Sequence, residues 1–201
     1  MVARGATTGT MRHLILAATT ALLLSPSLVS GQTRRESDAL VLARVCAHEA
    51  GWDALGDCSA IYDVLRGGAE RHGMTLRAFA HAYSGRALRG QTSRPWMAAL
   101  REDGAEPAGW PRVRYVTQRD GSARASAHPP WSGYRGQWLA LLNHARALIS
   151  GRVHSACEEP PHDWGGDMDH ARAERIGLIP VACGDTRNTF YQRPSLVADR
   201  D

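Results

Sequence analysis

One short stretch of this 201-residue chain combines residue types suited to proton transfer: Cys46-Ala47-His48-Glu49-Ala50-Gly51-Trp52. On a helix, Glu49 stacks over Val45, Cys46 and Leu42, at i−4, i−3 and i−7, so its carboxyl group shares an apolar stripe. It also falls in a last turn, where the helix dipole is negative. Both effects disfavour the charged form and predict a raised pKa. A carboxyl group that keeps its proton near neutral pH is what a general acid needs. The same residue also reads as a surface glutamate or a structural acceptor. The His48-Glu49 pair does not continue into a zinc-protease motif, because the second histidine would stand at position 52, which is Trp52.

The elements that must hold this stretch follow from pattern and punctuation. Ser37 or Asp38 caps a first helix that runs to about Ala50 and stops at Gly51. Asp57 caps a second, from Cys58 to about Arg71, with Ile61, Val64 and Leu65 at helical spacing. Thr75 starts a short third helix to Tyr83, and Pro95 opens a fourth to Arg101. Residues 103–133 are rich in Gly and Pro and read as a long loop with one strand, Val113–Thr117. Tyr134–Ser150 is the clearest amphipathic helix. Asp167 or Asp169 starts a brief helix through Ile176. Ile179–Cys183 and Thr189–Gln192 flank a turn and predict a small hairpin. The fold class is therefore mainly α (α+β), with a minor sheet near the C-terminus.

Residues 1–31 read as a signal peptide: Met11-Arg12-His13, then the apolar run Leu14–Leu24, then Ser25-Pro26 and the small-residue site before Gly31. The run is about half the roughly 20 residues that a membrane span needs, so no stable insertion is expected after cleavage. Residues 32–201 fit one domain. Export changes the reading of the four cysteines, Cys46, Cys58, Cys157 and Cys183. In an oxidising compartment they suggest two disulfides, worth roughly 2–4 kcal/mol each. Of three pairings, Cys46–Cys58 and Cys157–Cys183 are favoured because each stays within one half of the chain. No C-x-x-C pair is present, and neither a metal nor a cofactor is expected. All 24 basic residues are arginine, and Arg4 and Arg12 leave with the leader. The remaining arginines are scattered among acids, which argues against a nucleic-acid partner.

The run Leu42-Ala43-Arg44-Val45-Cys46-Ala47-His48-Glu49-Ala50-Gly51, followed by Ala60-Ile61-Tyr62-Asp63-Val64-Leu65, resembles the opening of cell-wall hydrolases related to spore-cortex-lytic enzymes. That family belongs to the lysozyme-like group that includes lytic transglycosylases. Pro161-His162-Asp163-Trp164-Gly165-Gly166 is similar to a later family segment that lines the cleft, and Asn188-Thr189-Phe190-Tyr191 to a closing strand. The matching patches lie in order between about residues 40 and 192. Leu65-Arg66-Gly67 departs from the family's usual Leu-Asn-Arg, and loop 103–133 has no counterpart. The resemblance implies a lysozyme-like helical domain and a periplasmic or secreted enzyme that cleaves glycosidic bonds in peptidoglycan glycan strands. Glu49 would be the catalytic acid, and His162, Trp164, Asn188 and Tyr191 the substrate contacts. Asp57, Asp163 and Asp169 are candidates for a second carboxylate, each equally readable as a cap or turn residue. The competing expectation is a non-catalytic secreted envelope or wall-binding module stabilised by its disulfides.

Overall fold

A computed structural model of the protein describes residues 36–118, 121–165 and 170–194. The expected signal peptide and the carboxylates Asp167 and Asp169 lie outside the described residues. The chain is mainly helical with two small antiparallel sheets, in agreement with the fold class expected from sequence. No helix among the described residues is long and apolar enough to cross a membrane.

Helix α1 (Asp38–Glu49) is the centre of the core, with every residue from Ala39 to Ala47 buried. From Ala39 to Ala47 it is apolar on all sides except at Arg44, the pattern of a helix surrounded by protein. Arg44 is buried at no net cost in unpaired charge. Its guanidinium donates twice to the Leu100 carbonyl, at 3.0 and 2.6 Å, and pairs with Glu36. Ser37 caps the helix, its Oγ accepting from the Leu40 amide at 3.1 Å. At the other end Gly51 adopts φ +100°, and its amide returns to the Cys46 carbonyl at 3.1 Å, which terminates the helix.

Helix α2 (Leu55–Arg71) begins three residues before the expected start. Asp57 is therefore not a cap but a first-turn residue, and its carboxylate is directed elsewhere. It accepts from the backbone amides of Arg187 and Asn188, at 2.8 to 3.1 Å. The Cys46–Cys58 disulfide ties α1 to α2, and Cys157–Cys183 ties the segment after the long helix to the C-terminal sheet, the pairing favoured from sequence.

Helix α3 (Leu76–Tyr83) is capped by Thr75 as expected, and a four-residue helix α4 (Gly85–Leu88) follows it. The expected fourth helix is a 3-10 turn, Pro95–Ala99. It ends early because Leu100 turns extended and gives its carbonyl to Arg44. Strand β1 (Val113–Thr117) pairs with an unexpected β2 (Ala123–Ala127), so loop 103–133 contains a hairpin, exposed along most of its length. Helix α5 (Ser132–Ile149) packs chiefly on α1. Strands β3 (Asp163–Gly165), β4 (Ile179–Val181) and β5 (Thr189–Gln192) form the second sheet in the order β3-β5-β4. The expected two-stranded hairpin thus gains a third strand, the one carrying Trp164. Helix α6 (His170–Arg175) lies between β3 and β4 in the chain.

Candidate active site

Glu49 stands where α1 leaves the core. The apolar stripe beneath it is buried at Leu42, Val45 and Cys46, whereas the Glu49 side chain is 29% exposed. The expectation of a carboxyl group on the stripe holds for its position, but the helix end opens it to a cavity of about 570 Å³. His48, Tyr83, Ser84, Arg86 and Arg89 share that cavity, and no other carboxylate among the described residues lines it. His48 Nδ1 lies 3.5 Å from Glu49 Oε1, and that nitrogen has no hydrogen-bond partner among the described residues.

Tyr83, the last residue of α3, extends the site. It lines the Glu49 cavity, a second cavity of about 290 Å³ shared with Asp163, Trp164 and Tyr191, and a third of about 560 Å³ shared with Phe79, His162 and Arg193. Its ring lies 4.8 Å from the Trp164 ring with a 38° tilt, and its hydroxyl donates to the Asp163 carboxylate. Burial, then that hydrogen bond, push the Tyr83 phenol pKa well above its ordinary value. Sequence reasoning missed Tyr83. A helix-terminal tyrosine carries no local mark of its role, and its partners Asp163 and Trp164 lie about 80 residues away in the chain.

The candidate substrate residues divide among these cavities. Trp164 and Tyr191 line the second one; Tyr191 is buried, with its hydroxyl 2.9 Å from His170 Nδ1. His162 borders the third; it is buried and its Nδ1 accepts from the Arg193 amide at 3.1 Å. Asn188 lines none of the three. Its side-chain amide reaches the main-chain carbonyl of Glu49 at 3.5 Å, so it lies behind the acid. The turn that carries Asn188 is docked by Asp57 and by Asp53, whose carboxylate receives a two-pronged contact from Arg187 at 3.0 and 2.8 Å. That guanidinium holds the Asp53 pKa below the usual carboxylate value. Gly56 allows the close approach, since a Cβ there would stand 2.7 Å from the Asp185 carbonyl oxygen.

Two of the three candidate second carboxylates can be placed. Asp57 is buried, saturated by backbone amides, and lines none of the three cavities. Asp163 edges the second cavity, but it already accepts from Tyr83, the Trp164 amide and Arg193. Of Glu49, Asp57 and Asp163, Glu49 is thus the one that opens on a cavity without a strong internal donor. Compared with known proteins, the chain matches no family model, no curated protein and no solved structure.

Proposed function

We propose that this protein is an exported peptidoglycan-cleaving enzyme of the cell-wall hydrolase type, with Glu49 as the general acid and base. One observation carries the reading. A single carboxylate opens on a large cavity, and Tyr83 joins that cavity to a second one walled by Trp164. An acid beside an aromatic wall suits a polysaccharide, because sugar rings stack on indole while the acid addresses the linking oxygen. The two disulfides suit an oxidising compartment outside the cytoplasm.

In this mechanism Glu49 donates its proton to the glycosidic oxygen as the bond to the anomeric carbon breaks. A hydrolase of the two-carboxylate kind would need a second acidic group to place water or form a glycosyl-enzyme. Asp57 and Asp163 are both committed to other donors, which favours the lytic route. There the sugar's own hydroxyl attacks the anomeric carbon and gives its proton back to the Glu49 carboxylate. The bond closed is intramolecular, and no water is consumed.

The test is incubation of the mature protein with purified peptidoglycan and mass spectrometry of the soluble fragments. Anhydro-sugar ends are expected, and reducing ends would mark hydrolysis instead. Glu49→Gln should slow release by about 10²–10⁴-fold, the usual worth of a positioned acid-base group. Release that is absent from the wild type, or unchanged in Glu49→Gln, overturns the catalytic assignment. Binding without release would identify a wall-binding module.

A further inference from the structure

The Glu49 cavity carries a charge pattern that an acid-base role leaves unused. Eight arginines of the described chain lie within 4.0 Å of a carboxylate. Arg86 and Arg89 form no such pair among the described residues, and both line the cavity that Glu49 opens on. They stand three residues apart, on α4 and at its end, so both project from one face. The Arg89 guanidinium folds back over Gly85. A Cβ at that glycine would stand 2.5 Å from Arg89 Nη1, and Nε donates to Gln91 Oε1 at 3.4 Å.

We propose that Arg86 and Arg89 form a carboxylate-binding subsite, so that the enzyme selects acid-bearing aminosugar glycans over neutral ones. This rests on the glycan reading of the same cavity. Two guanidinium groups against one glutamate leave the cavity positive when Glu49 is ionised, and more so when it is protonated to act. A guanidinium pairs with a carboxylate through two parallel, charge-assisted hydrogen bonds, a geometry that an ammonium group lacks. A neutral sugar entering the cavity would strip water from both arginines and offer no charge in return. A glycan bearing carboxylates replaces that water with ion pairs, and the preference weakens as salt screens the charges. In a bacterial wall the carboxylate comes from the acid substituent of the sugar or from the peptide attached to it.

The experiment measures binding with the Glu49→Gln chain, so that turnover plays no part. Three soluble ligands of equal sugar number are compared: muramyl oligosaccharide with its peptides, the same oligosaccharide stripped to its free acid, and neutral N-acetylated chitooligosaccharide. The carboxylate-bearing ligands should bind at least about tenfold more tightly than the neutral one, in line with a charge-assisted pair. Preference for the stripped form places the contact on the sugar acid, and preference for the peptide-bearing form alone places it on the peptide. Replacing both residues, Arg86→Ala with Arg89→Ala, should erase the preference and spare the affinity for the neutral ligand. Arg86→Lys with Arg89→Lys should restore part of it while keeping the charge. Equal affinity for all three ligands, no binding to any, or an equal loss for all in the double alanine chain overturns the inference. Full cleavage activity in Glu49→Gln would overturn the catalytic reading and leave the binding preference standing, so the two failures are distinguishable.

Discussion

The chain's six tryptophans fall into two environments that sequence does not distinguish. Trp52, Trp96, Trp110, Trp131 and Trp138 pack on one another with ring centroids 4.7 to 6.2 Å apart. Three of their indole N–H groups are spent on the long loop and its approach: Trp110 donates to Pro129, Trp131 to Gly104 and Trp138 to Arg101, at 3.1, 2.8 and 2.7 Å. Trp164 has a different setting. It sits on β3, half-buried, with Tyr83 as its aromatic neighbour and a cavity in front of it. The five-membered cluster turns an irregular segment into part of the core, since an indole satisfies a loop carbonyl and buries apolar area together. The Tyr83–Trp164 pair leaves aromatic surface facing solvent, which stability alone does not require. The five-membered cluster closes on itself and on the long loop, whereas Trp164 packs against the same core from its edge with one face on a cavity, which suits it to the ligand contact proposed above.

Trp138→Ala gives the largest effect. Trp138 is fully buried, and its loss removes the Arg101 carbonyl's partner as well as the ring. Truncating a large buried aromatic leaves a cavity, and the expected cost is about 3–5 kcal/mol in urea unfolding. A loss under about 1 kcal/mol would mean that the cluster is loosely packed and would break the comparison.

Trp164→Ala should show the opposite profile. The side chain is only half-buried, so the stability loss should be roughly 1–2 kcal/mol. Affinity for peptidoglycan fragments, measured with the Glu49→Gln chain, should fall about tenfold, which corresponds to ~1.4 kcal/mol. If stability falls as far as in Trp138→Ala while affinity is untouched, Trp164 belongs with the other five.

Local patterns were sufficient for some of this architecture. Helix α1 is readable because Ser37, an unbroken apolar run and Gly51 follow in order, and α5 because its apolar face repeats through Trp138, Leu141, Leu142 and Ala145. The disulfides follow from the expected oxidising compartment and from proximity in sequence. Strand β2 was not readable, since Ala-Arg-Ala-Ser-Ala has little strand preference and forms only against β1. Asp57 looked like a cap because the amides it serves come 130 and 131 residues later. The same limit applies to the candidate site. Glu49 could be picked out from its own neighbourhood and Trp164 through the family resemblance, but Tyr83 acquires its place only when α3, β3 and the end of α1 meet. The 184–188 turn behind Glu49 is likewise assembled by long-range contacts to Asp53 and Asp57.

The smallest effect tests the contact that holds the second region together. Tyr83→Phe keeps the ring against Trp164 and removes only the hydroxyl that donates to Asp163. Asp163 retains Arg193 and the Trp164 amide, and Tyr83 is 40% exposed, so the cost at neutral pH should be modest, about 0.5–1 kcal/mol. Its pH dependence is the sharper measure. Folding raises the Tyr83 phenol pKa above its ordinary value of about 10. The protonated form is therefore favoured by folding, and this stabilisation is complete below pH 10 and lost as pH rises beyond it. Tyr83→Phe has no such proton to lose. The stability gap between wild type and variant, read from urea midpoints, should hold steady from pH 7 to 9 and close as the pH passes 10. A gap that stays constant through pH 11 would show that folding does not favour the protonated phenol, so that the bond to Asp163 contributes nothing to stability. The aromatic wall beside Glu49 would then be positioned by ring packing alone.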